Sequence, residues 1–371
     1  MPKLFVASGI FHPEAGGPAT YLKTVLPALQ ERGWQPRVLT FGEPATAEYA
    51  YPVTRVARQS YPIRQARYAA ASRGHLAWAD LVYTHTIDLP LWGGRDKPRV
   101  IKVVGDQAWE RCIRRGWIPA DLRIDDFQAY RGDWRVRWQK ASRLRQIAAM
   151  DAVIVPSRYL KRMVVDWGVE QKKAHVIYNA LPPTEPPQET RAEIRSRLSW
   201  DDRPTLIAVA RLQRWKGIDH LIEAQRQSPD WRLVVVGDGP DRPRLAQLAS
   251  PLGDRVIFKG QMARPDAHQL IRAADGLALY SGYEGLSHTL LESLYLGTPV
   301  LASDIGGNPE IVQHGVNGVL VPFGNPEALR RGIMDLLERR DELASNSQAG
   351  LERFRLDAMV EQTDLLLRSL L

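Results

Sequence analysis

The chain has 371 residues, of which 44% are hydrophobic and 25% are charged, a composition that excludes disordered, collagen-like and coiled-coil proteins. Its single cysteine, Cys112, cannot form an internal disulfide, which excludes the disulfide-stapled secreted class. No apolar run approaches the ~18 residues that span a bilayer, so we expect a cytoplasmic protein, either free or peripherally attached to the cytoplasmic face of a membrane. At ~100–200 residues per domain, the length predicts two domains.

Charge is distributed unevenly along the chain. Residues 1–180 include 28 basic and 16 acidic side chains, whereas residues 181–371 include 22 and 26. Eight of the eleven tryptophans also lie in the first part. A basic, tryptophan-rich half predicts an anionic partner, which on charge alone is a nucleic acid, an anionic membrane surface or a phosphorylated acceptor.

The first half alternates short apolar runs with helical patterns. The run after Lys3 is short and ends at His12-Pro13-Glu14, which favours a buried strand over a signal peptide. A Gly-Pro loop at 13–18 is followed by a helix that ends at Gly33 and has an apolar stripe at Tyr21, Leu22, Val25, Leu26 and Leu29. Strands are predicted at 4–10, 36–40, 81–84, 100–104, 152–156 and 174–178, and residues 108–149 are predicted to be mostly helical. This order is typical of βαβ units in a parallel sheet.

The segment 181–190, LPPTEPPQET, has four prolines in ten residues and is predicted to be an interdomain linker. The alternating pattern then restarts. Strands are predicted at 206–210, 233–236, 256–258, 277–280, 299–302 and 319–321, with helices at 218–227, 242–249, 266–274, 289–296 and from about 356. The chain is therefore expected to be α/β, with two doubly wound Rossmann-like halves facing each other across a cleft at the carboxyl ends of their strands.

The strongest chemical signal is the segment 281–292, SGYEGLSHTLLE. Glu284 precedes a predicted helix and Glu292 lies within it, so the two carboxylates flank the backbone N–H groups of 285–289, which form an anion site. Carboxylates are also strong acceptors for sugar hydroxyl groups. Read more simply, the segment is a helix with acidic residues in its first turns.

Cations and glycines follow other predicted strands. Arg211 and Lys216 in ARLQRWKG follow the first strand of the second half, where two cations facing a helix N-terminus make a diphosphate clamp. Gly237 follows another strand, and Gly16-Gly17 follows the first strand of the chain. Glycines let a backbone approach a phosphate or sugar closely, although such a pair is more often simply a turn.

These motifs together resemble the retaining glycosyltransferases of the GT-B fold, and specifically glycosyltransferase family 4. SGYEGLSHTLLESLYLGTPVLASDIGGNPEIVQHGVNGVLV at 281–321 is similar to the donor-site block of that family. LIAVARLQRWKG and LVVVGDGP are similar to its other C-terminal signatures, while VIVPSRYLKR and HVIYNA are similar to the end of its N-terminal domain. The final stretch FRLDAMVEQTDLLLRSLL is similar to its last helix. The resemblance covers nearly the whole chain.

The resemblance implies a GT-B architecture with three parts. Residues 1–180 would form the acceptor-binding domain, 181–355 the donor-binding domain, and 356–371 a helix that crosses back to the first domain. The implied activity is the retaining, metal-independent transfer of a sugar from a nucleoside diphosphate sugar, with a UDP-sugar favoured, to the hydroxyl group of a glycan, lipid-linked or small-molecule acceptor. Neither a cofactor nor a metal is expected.

The resemblance also implies roles for individual residues. Glu284 would contact donor-sugar hydroxyls, Glu292 would hold the ribose, and Arg211 and Lys216 would neutralise the diphosphate and stabilise the departing nucleotide. The remaining donor contacts are expected from backbone and small side chains at Gly16, Gly17, Gly237, Lys259, Gly260, Gln261, Gly285, Leu286, Ser287, His288, Thr289 and Leu290. Retention without a well-placed enzymic nucleophile implies a front-side route, in which the leaving phosphate helps to deprotonate the acceptor.

One position departs from the family. Many members have His-Asp after the strand that here reads RVIKVVGDQAWE, whereas this chain has Gly105-Asp106. Asp106 is the candidate to replace the histidine, although an aspartate there can equally cap a helix. His85, which ends the preceding strand, is a second candidate on the acceptor side, together with Trp109; His288 beside the later helix is another. A lone histidine at a strand end is more often structural.

A membrane surface is a further hypothesis. Residues 108–145 include ten basic and five acidic side chains, interspersed with Trp109, Trp117, Trp134 and Trp138. Trp134 and Trp138 would share one helical face flanked by arginines, which suits the headgroup region of an anionic bilayer. The alternative is that the tryptophans are core residues and the arginines are solvated.

Three other functions compete with glycosyl transfer. An NAD-dependent oxidoreductase is disfavoured because Arg242 stands where the fingerprint needs its last small residue. A nucleic-acid-binding protein would leave the glutamates and the Arg211 and Lys216 pair without a function, so no nucleic acid is expected. A catalytically silent nucleotide-sugar binder stays open because the histidine is missing. No pair of histidines or alternating aspartates is spaced to hold a metal.

Overall fold

A computed structural model describes residues 1–14, 16–91, 93–94, 96–181 and 188–371 of the chain. Contacts divide the chain into two compact units. The first unit comprises Met1–Ile118, Gln128–Pro182 and Phe354–Leu371, and the second comprises Pro119–Phe127 and Pro183–Arg353. Most of the predicted linker at 181–190 lies outside the described residues.

The first unit is built on a seven-stranded parallel sheet with the order β3-β2-β1-β4-β5-β6-β7. Its strands are β1 (Lys3–Ala7), β2 (Gln35–Phe41), β3 (Val53–Val56), β4 (Leu81–Thr84), β5 (Arg99–Lys102), β6 (Ala152–Val155) and β7 (Ala174–Val176). The central strands are buried along nearly their whole length, as expected for a parallel sheet covered on both faces. The order of strands reverses between β1 and β4.

In the described part of the chain, the helices between these strands are α1 (Gly17–Glu31), α2 (Tyr61–Trp78), α3 (Gln107–Arg114), α4 (Ile124–Ala129), α5 (Trp134–Ala148) and α6 (Arg158–Asp166). Most of α4, up to Phe127, is grouped with the second unit. The predicted stripe of α1, from Tyr21 to Leu29, is buried against the sheet. Neither β3 nor α2 was predicted. β3 is only four residues long, and α2 is rich in alanine and arginine without a wide apolar stripe, so neither has a strong periodic signal.

The second unit has a six-stranded parallel sheet with the order β10-β9-β8-β11-β12-β13. Its strands are β8 (Thr205–Val209), β9 (Arg232–Val236), β10 (Val256–Gly260), β11 (Gly276–Leu279), β12 (Val300–Ser303) and β13 (Gly318–Val321). Each of the six predicted strands is present within two residues of its expected ends. Here the order reverses between β8 and β11, which is where doubly wound sheets bind ligands.

The helices of the second unit are α7 (Arg191–Arg197), α8 (Ile218–Gln227), α9 (Arg242–Ala249), α10 (Arg264–Ala273), α11 (His288–Tyr295), α12 (Pro326–Glu338) and α13 (Arg340–Ser345). The predictions for α8 and α9 match the observed bounds. Its core is formed by β8, β9, α8 and α12, with Trp231 and Tyr280 as its largest members.

The last helix, α14 (Leu356–Arg368), belongs to the first unit. Met359, Val360 and Leu367 pack into the core of that unit. The Trp34 Nε1 atom donates a hydrogen bond to the Asp364 carboxylate at 2.6 Å. Both units are therefore Rossmann-like α/β domains with parallel sheets, which confirms the expected fold class.

Candidate functional site

The loops that leave the carboxyl ends of the second sheet are joined to one another by backbone hydrogen bonds. Gly237 N–H donates to Gly260 O at 2.7 Å, which links the ends of β9 and β10. Gly282 N–H donates to Trp215 O at 2.6 Å, which links the loops after β8 and β11. These loops carry most of the residues predicted to bind the donor, so the sheet places them along one edge.

At two positions along this edge, a neighbouring backbone approaches so closely that only glycine fits. Gly237 has φ +124°, and a Cβ there would lie 2.0 Å from Ala210 O. Gly306 has φ +63°, and a Cβ there would lie 2.1 Å from Glu284 O. The neighbouring Gly307 N–H donates to that same Glu284 oxygen at 3.0 Å. The loop after β12 therefore supports the backbone of Glu284 directly.

Lys216 and Glu284 come together although they are 68 residues apart. Lys216 ends a short 3₁₀ turn after β8, and Glu284 lies in the loop after β11. The Lys216 Nζ atom donates to Glu284 Oε1 at 2.6 Å. Their side chains are 19% and 12% exposed, so the pair is partly accessible to solvent. A ligand carrying both a phosphate and hydroxyl groups can engage the two charges at once.

Glu292 lies in α11 and is held by α10. Its Oε1 accepts from Arg264 Nε at 2.8 Å, and the Arg264 Nη2 atom lies 2.7 Å away. His268 Nε2 is 3.7 Å from the other oxygen. Burial alone would raise the pKa of Glu292, but its interaction with His268 and the charge of Arg264 outweigh burial and lower it. Glu292 is therefore a carboxylate at neutral pH, with Oε2 as its less engaged oxygen.

The N-terminus of α11 is capped from within the chain. Ser287 Oγ accepts from Leu290 N–H at 3.3 Å. Gly285, Leu286, Ser287 and Leu290 are buried, whereas His288 and Thr289 are half-buried. The side chains of His288 and Thr289 can therefore contact a ligand, whereas the buried positions can contact it only through their backbone atoms.

Three further donor candidates are exposed. Arg211 follows β8 by two residues, and no ion pair or hydrogen bond involves its side chain within the described part of the chain. Lys259 and Gln261 bracket the end of β10. These side chains can move to meet a ligand. Gly16 and Gly17, by contrast, belong to the first unit, at the start of α1.

Asp106 caps α3 in the first unit. Its Oδ1 accepts from the backbone N–H groups of Ala108 and Trp109 at 3.0 and 3.1 Å. Its Oδ2 accepts from Gln128 at 3.0 Å and pairs with Arg143. The carboxylate is completely buried. All of these contacts of the carboxylate are made with the protein itself, which favours the helix-capping alternative over a catalytic role.

The other candidates of the first unit are also buried. Trp109 is 1% exposed, so it offers no face to an acceptor. This burial favours a packing role for Trp109 over contact with an acceptor. His85 is 5% exposed, but it lines a cavity at the end of β4. His85 is thus the one acceptor-side candidate beside open space among the three.

Sequence reasoning missed three residues of the second-unit site. Arg264 and His268 hold Glu292, and Gly306 supports Glu284. Arg264 and His268 are four apart on α10, so they share a helical face, but nothing in their spacing indicates a carboxylate on a different helix. Gly306-Gly307 after β12 had a readable signal, since a glycine pair after a buried strand marks close backbone approach.

The described residues contain neither a cluster of metal-ligating side chains nor a membrane-spanning helix. In that part of the chain, no group of three or more His, Cys, Asp or Glu side chains is arranged to hold a metal ion. Within the same residues, no helix combines the length and apolarity needed to cross a bilayer.

Comparison with protein families matches both units. A family model described as Glycosyl transferases group 1 matches residues 190–353. A second, described as Glycosyltransferase Family 4, matches residues 15–185. Together the two models account for most of the chain.

Two curated relatives illustrate the similarity. The alpha-D-kanosaminyltransferase of Streptomyces kanamyceticus is 36% identical over 167 residues, 42% of this chain and 43% of that protein. The GDP-mannose-dependent alpha-(1-6)-phosphatidylinositol monomannoside mannosyltransferase of Mycobacterium tuberculosis is 33% identical over 180 residues, 45% of this chain and 47% of that protein. The chain thus spans about half the length of the curated relatives it matches.

Solved structures show the same fold. The Anabaena protein HepE, crystallised with UDP and glucose, superposes with a TM-score of 0.77 at 23% identity and covers all of both chains. At this identity the similarity shows the fold alone, which is the GT-B architecture of two Rossmann-like domains.

Proposed function

Because this chain belongs to family 4 of the glycosyltransferases, we propose that it transfers a sugar from a nucleoside diphosphate sugar to an acceptor hydroxyl group. The observation that carries the proposal is the contact between Lys216 and Glu284 at 2.6 Å. It joins a cation suited to a phosphate and a carboxylate suited to sugar hydroxyls, at the point where the strand order reverses.

Lys216 and Arg211 would take the diphosphate. Negative charge grows on the departing nucleotide as the glycosidic bond breaks, and a fixed cation stabilises this charge more strongly in the transition state than in the ground state. Binding of the diphosphate would separate Lys216 from Glu284. The released Glu284 carboxylate then accepts hydrogen bonds from the sugar hydroxyls and fixes the orientation of the reacting carbon.

Glu292 would bind the ribose through Oε2, since Oε1 is engaged by Arg264. The ionised state of Glu292, which the lowered pKa maintains, suits a group that must accept hydrogen bonds from two neighbouring hydroxyls. Nucleobase contact is proposed at 259–261. UDP-sugars stay our first choice of donor and GDP-sugars our second: HepE, a neighbour in fold, was crystallised with UDP, and the mycobacterial relative is named as GDP-mannose-dependent.

Transfer is proposed to proceed with retention and without a metal. The cations at 211 and 216 and the N-terminus of α11 supply positive charge at the diphosphate in place of Mg²⁺. In a front-side route the acceptor oxygen attacks the anomeric carbon on the face from which the nucleotide leaves, so no enzymic nucleophile is needed. As the bond to the nucleotide breaks and the new glycosidic bond forms, a phosphate oxygen of the leaving nucleotide accepts the proton of the acceptor hydroxyl.

A panel of UDP-sugars and GDP-sugars tests this function. Nucleotide release should occur with at least one donor, should increase when the correct acceptor is added, and should persist in EDTA. Loss of turnover in EDTA, restored by Mg²⁺, would contradict metal independence. Nucleotide binding without release from any donor would instead support a catalytically silent binder.

A lipid-linked acceptor is the finer proposal for the substrate. One face of α5 carries Trp134 and Trp138, which are 66% and 56% exposed, while Val136 and Ile147 on the opposite face are buried. Exposed Arg135 stacks near Trp134 with 5.7 Å between its guanidinium carbon and the ring centre. Exposed tryptophans beside arginines suit an anionic membrane interface.

Cosedimentation with liposomes tests that surface. Binding should require anionic lipid, weaken as salt increases, and decrease when Arg135 and Arg137 are changed to glutamate. A matched control changes two exposed arginines of the second unit, Arg330 and Arg331, to glutamate. Equal loss in both variants would show that net charge alone is responsible, and no binding to any anionic vesicle would favour a soluble acceptor.

A further inference from the structure

A cavity of about 310 Å³ opens in the first unit beyond the carboxyl ends of β1, β4 and β5. Its walls include Gly9 after β1, Pro18 in the first turn of α1, His85 after β4 and Lys102 at the end of β5. The order of strands in this sheet reverses between β1 and β4. The cavity therefore lies at the position where a doubly wound sheet binds its ligand.

Lys102 is a buried amine without a partner. The residue is 3% exposed, and its Nζ atom makes no hydrogen bond to any residue that the structure describes. Its closest aromatic neighbour is Tyr21 of α1, with 4.1 Å between Nζ and the ring centre. An ammonium group held in this way lacks the counter-charge that normally accompanies burial.

His85 is the second polar group without a partner. It is 5% exposed, and its Nε2 atom has no hydrogen bond within the described chain. Its ring lies 4.4 Å from Tyr83 and 5.0 Å from Tyr21, measured between ring centres. Burial, together with the nearby charge of Lys102, lowers the pKa of His85 well below its usual range.

Among the described residues that line the cavity there is no carboxylate. The titratable groups around Lys102 are Tyr21 from α1, which contacts its amine, and Tyr83 and His85 from β4 and its end, which contact Tyr21. The two tyrosine hydroxyls bond to each other at 3.0 Å, and burial raises both of their pKa values. Among the described residues, the first turn of α1 has neither an acidic residue nor a side-chain hydrogen bond at its cap, so the positive end of this helix can attract an anion.

We propose that this cavity binds an oxyanion of the acceptor, a phosphate or carboxylate group, with Lys102 as its counter-ion and His85 as a second polar contact. The proposal rests on the proposed function, because it identifies the ligand of the first unit as the acceptor. The four-carbon stem of Lys102 is flexible, which lets the amine leave the Tyr21 ring and reach an anion. A charge-assisted bond then replaces a weaker contact with the ring.

Binding should be linked to protonation of Lys102. Burial lowers the pKa of Lys102 to about 7, so the empty site is largely neutral above that pH. An anion favours the charged amine and raises its pKa again, and the complex therefore takes up a proton. Affinity is fully present below about pH 7 and decreases as the pH rises above it.

Sulfate is the probe, because its charge is constant over this pH range. Calorimetric titration of the full chain would compare about pH 6 with about pH 8.5, on either side of the Lys102 pKa. We expect sulfate to bind on the order of tenfold more tightly at the lower pH. Lys102→Met should abolish this binding, whereas Lys172→Met, which removes a lysine whose side chain is 81% exposed, should leave it unchanged.

The Lys102→Arg variant distinguishes loss of the positive charge from loss of the folded structure. Arginine stays protonated at both pH values, so this variant should bind sulfate but lose the pH dependence. Thermal melts of each variant establish that it is folded. His85→Gln should weaken binding less than Lys102→Met does. Sulfate affinity that is independent of pH, or equal in wild type and Lys102→Met, would overturn the proposal.

Competition identifies the source of the anion. A sugar phosphate should displace sulfate, the parent sugar should not, and UDP or GDP should not. Displacement by the nucleotides would assign the cavity to the donor phosphate and contradict the acceptor assignment. The nucleotide-sugar panel is read independently: sulfate binding with no turnover would contradict the proposed function alone, and turnover with no sulfate binding would contradict this proposal alone.

Discussion

The two Rossmann-like units place their polar residues in opposite ways. In the second unit, Lys216, Glu284 and Glu292 come from separate elements, remain partly exposed and pair with one another or with Arg264. In the first unit, Asp106 is completely buried and fully engaged by its own unit. Lys102 is buried too, but it has no partner in the described structure.

This difference indicates which polar groups are available to a ligand. An ion pair open on one side can exchange its partner for a ligand at modest cost, because solvent already reaches it. A buried, fully bonded carboxylate cannot exchange its partners in this way, because breaking its hydrogen bonds leaves buried donors and charges without partners. A buried polar group without a hydrogen-bond partner in the described structure is the third case, and for Lys102 we propose that the acceptor supplies the partner.

The largest effect is expected from breaking the Asp106 network. Asp106→Ala removes the α3 cap and leaves Arg143, which is 6% exposed, without its partner. Loss of one member of a buried pair typically lowers the free energy of unfolding by about 3–5 kcal/mol. Chemical denaturation would measure this loss.

Arg143→Met in the Asp106→Ala background should restore part of that stability, because the stranded charge is then gone. The turnover number of the folded Asp106→Ala enzyme should stay within a few-fold of wild type. A large decrease in turnover with unchanged stability would return Asp106 to the catalytic site.

Lys216→Ala should give the next largest effect. Removing a cation that stabilises the departing nucleotide is expected to reduce turnover by about 10²–10³, or about 2.7–4 kcal/mol in the barrier. Steady-state kinetics with the preferred donor would measure it. Lys172→Ala is the matched control at an exposed lysine, and equal kinetics in the two variants would exclude Lys216 from the donor site.

Gly306→Ala tests the support of Glu284. The new Cβ would lie 2.1 Å from Glu284 O, so the loop must move, with an expected loss of about 1–3 kcal/mol in stability. Gly324→Ala is the matched control, because Gly324 also has positive φ, +78°, but no atom within 4 Å of the new Cβ. A decrease in kcat for Gly306→Ala alone would show that the position of this loop governs turnover. Equal kcat values for Gly306→Ala and Gly324→Ala would refute that role.

The smallest effect is expected at Arg264. Its guanidinium group is 35% exposed and holds one oxygen of Glu292. Arg264→Met should raise the donor KM by about twofold to fivefold, as expected for a half-exposed ion pair, with kcat nearly unchanged. Arg331→Met, at an arginine that is 72% exposed, is the control. A change in kcat rather than KM would contradict a ground-state role in ribose binding.

The second unit was easier to predict from sequence than the first, for physical reasons. Its strands are continuous apolar runs, and the residues proposed to bind the donor lie in short segments, such as 211–216 and 284–292, that follow these strands directly. The network of Asp106 depends on Gln128 and Arg143, which are 22 and 37 residues away. No local pattern indicates such contacts. The pairing of Glu292 with Arg264 was missed for the same reason.

We propose that the second unit binds the donor nucleotide beside Lys216 and Glu284. Photoaffinity labelling with an azido-uridine or azido-guanosine diphosphate sugar, followed by peptide mass spectrometry, tests it most directly. We predict labelled peptides from 258–292, with labelling suppressed by excess unmodified nucleotide and reduced in Lys216→Ala. Nucleotide-protected labelling confined to the first unit would contradict the account.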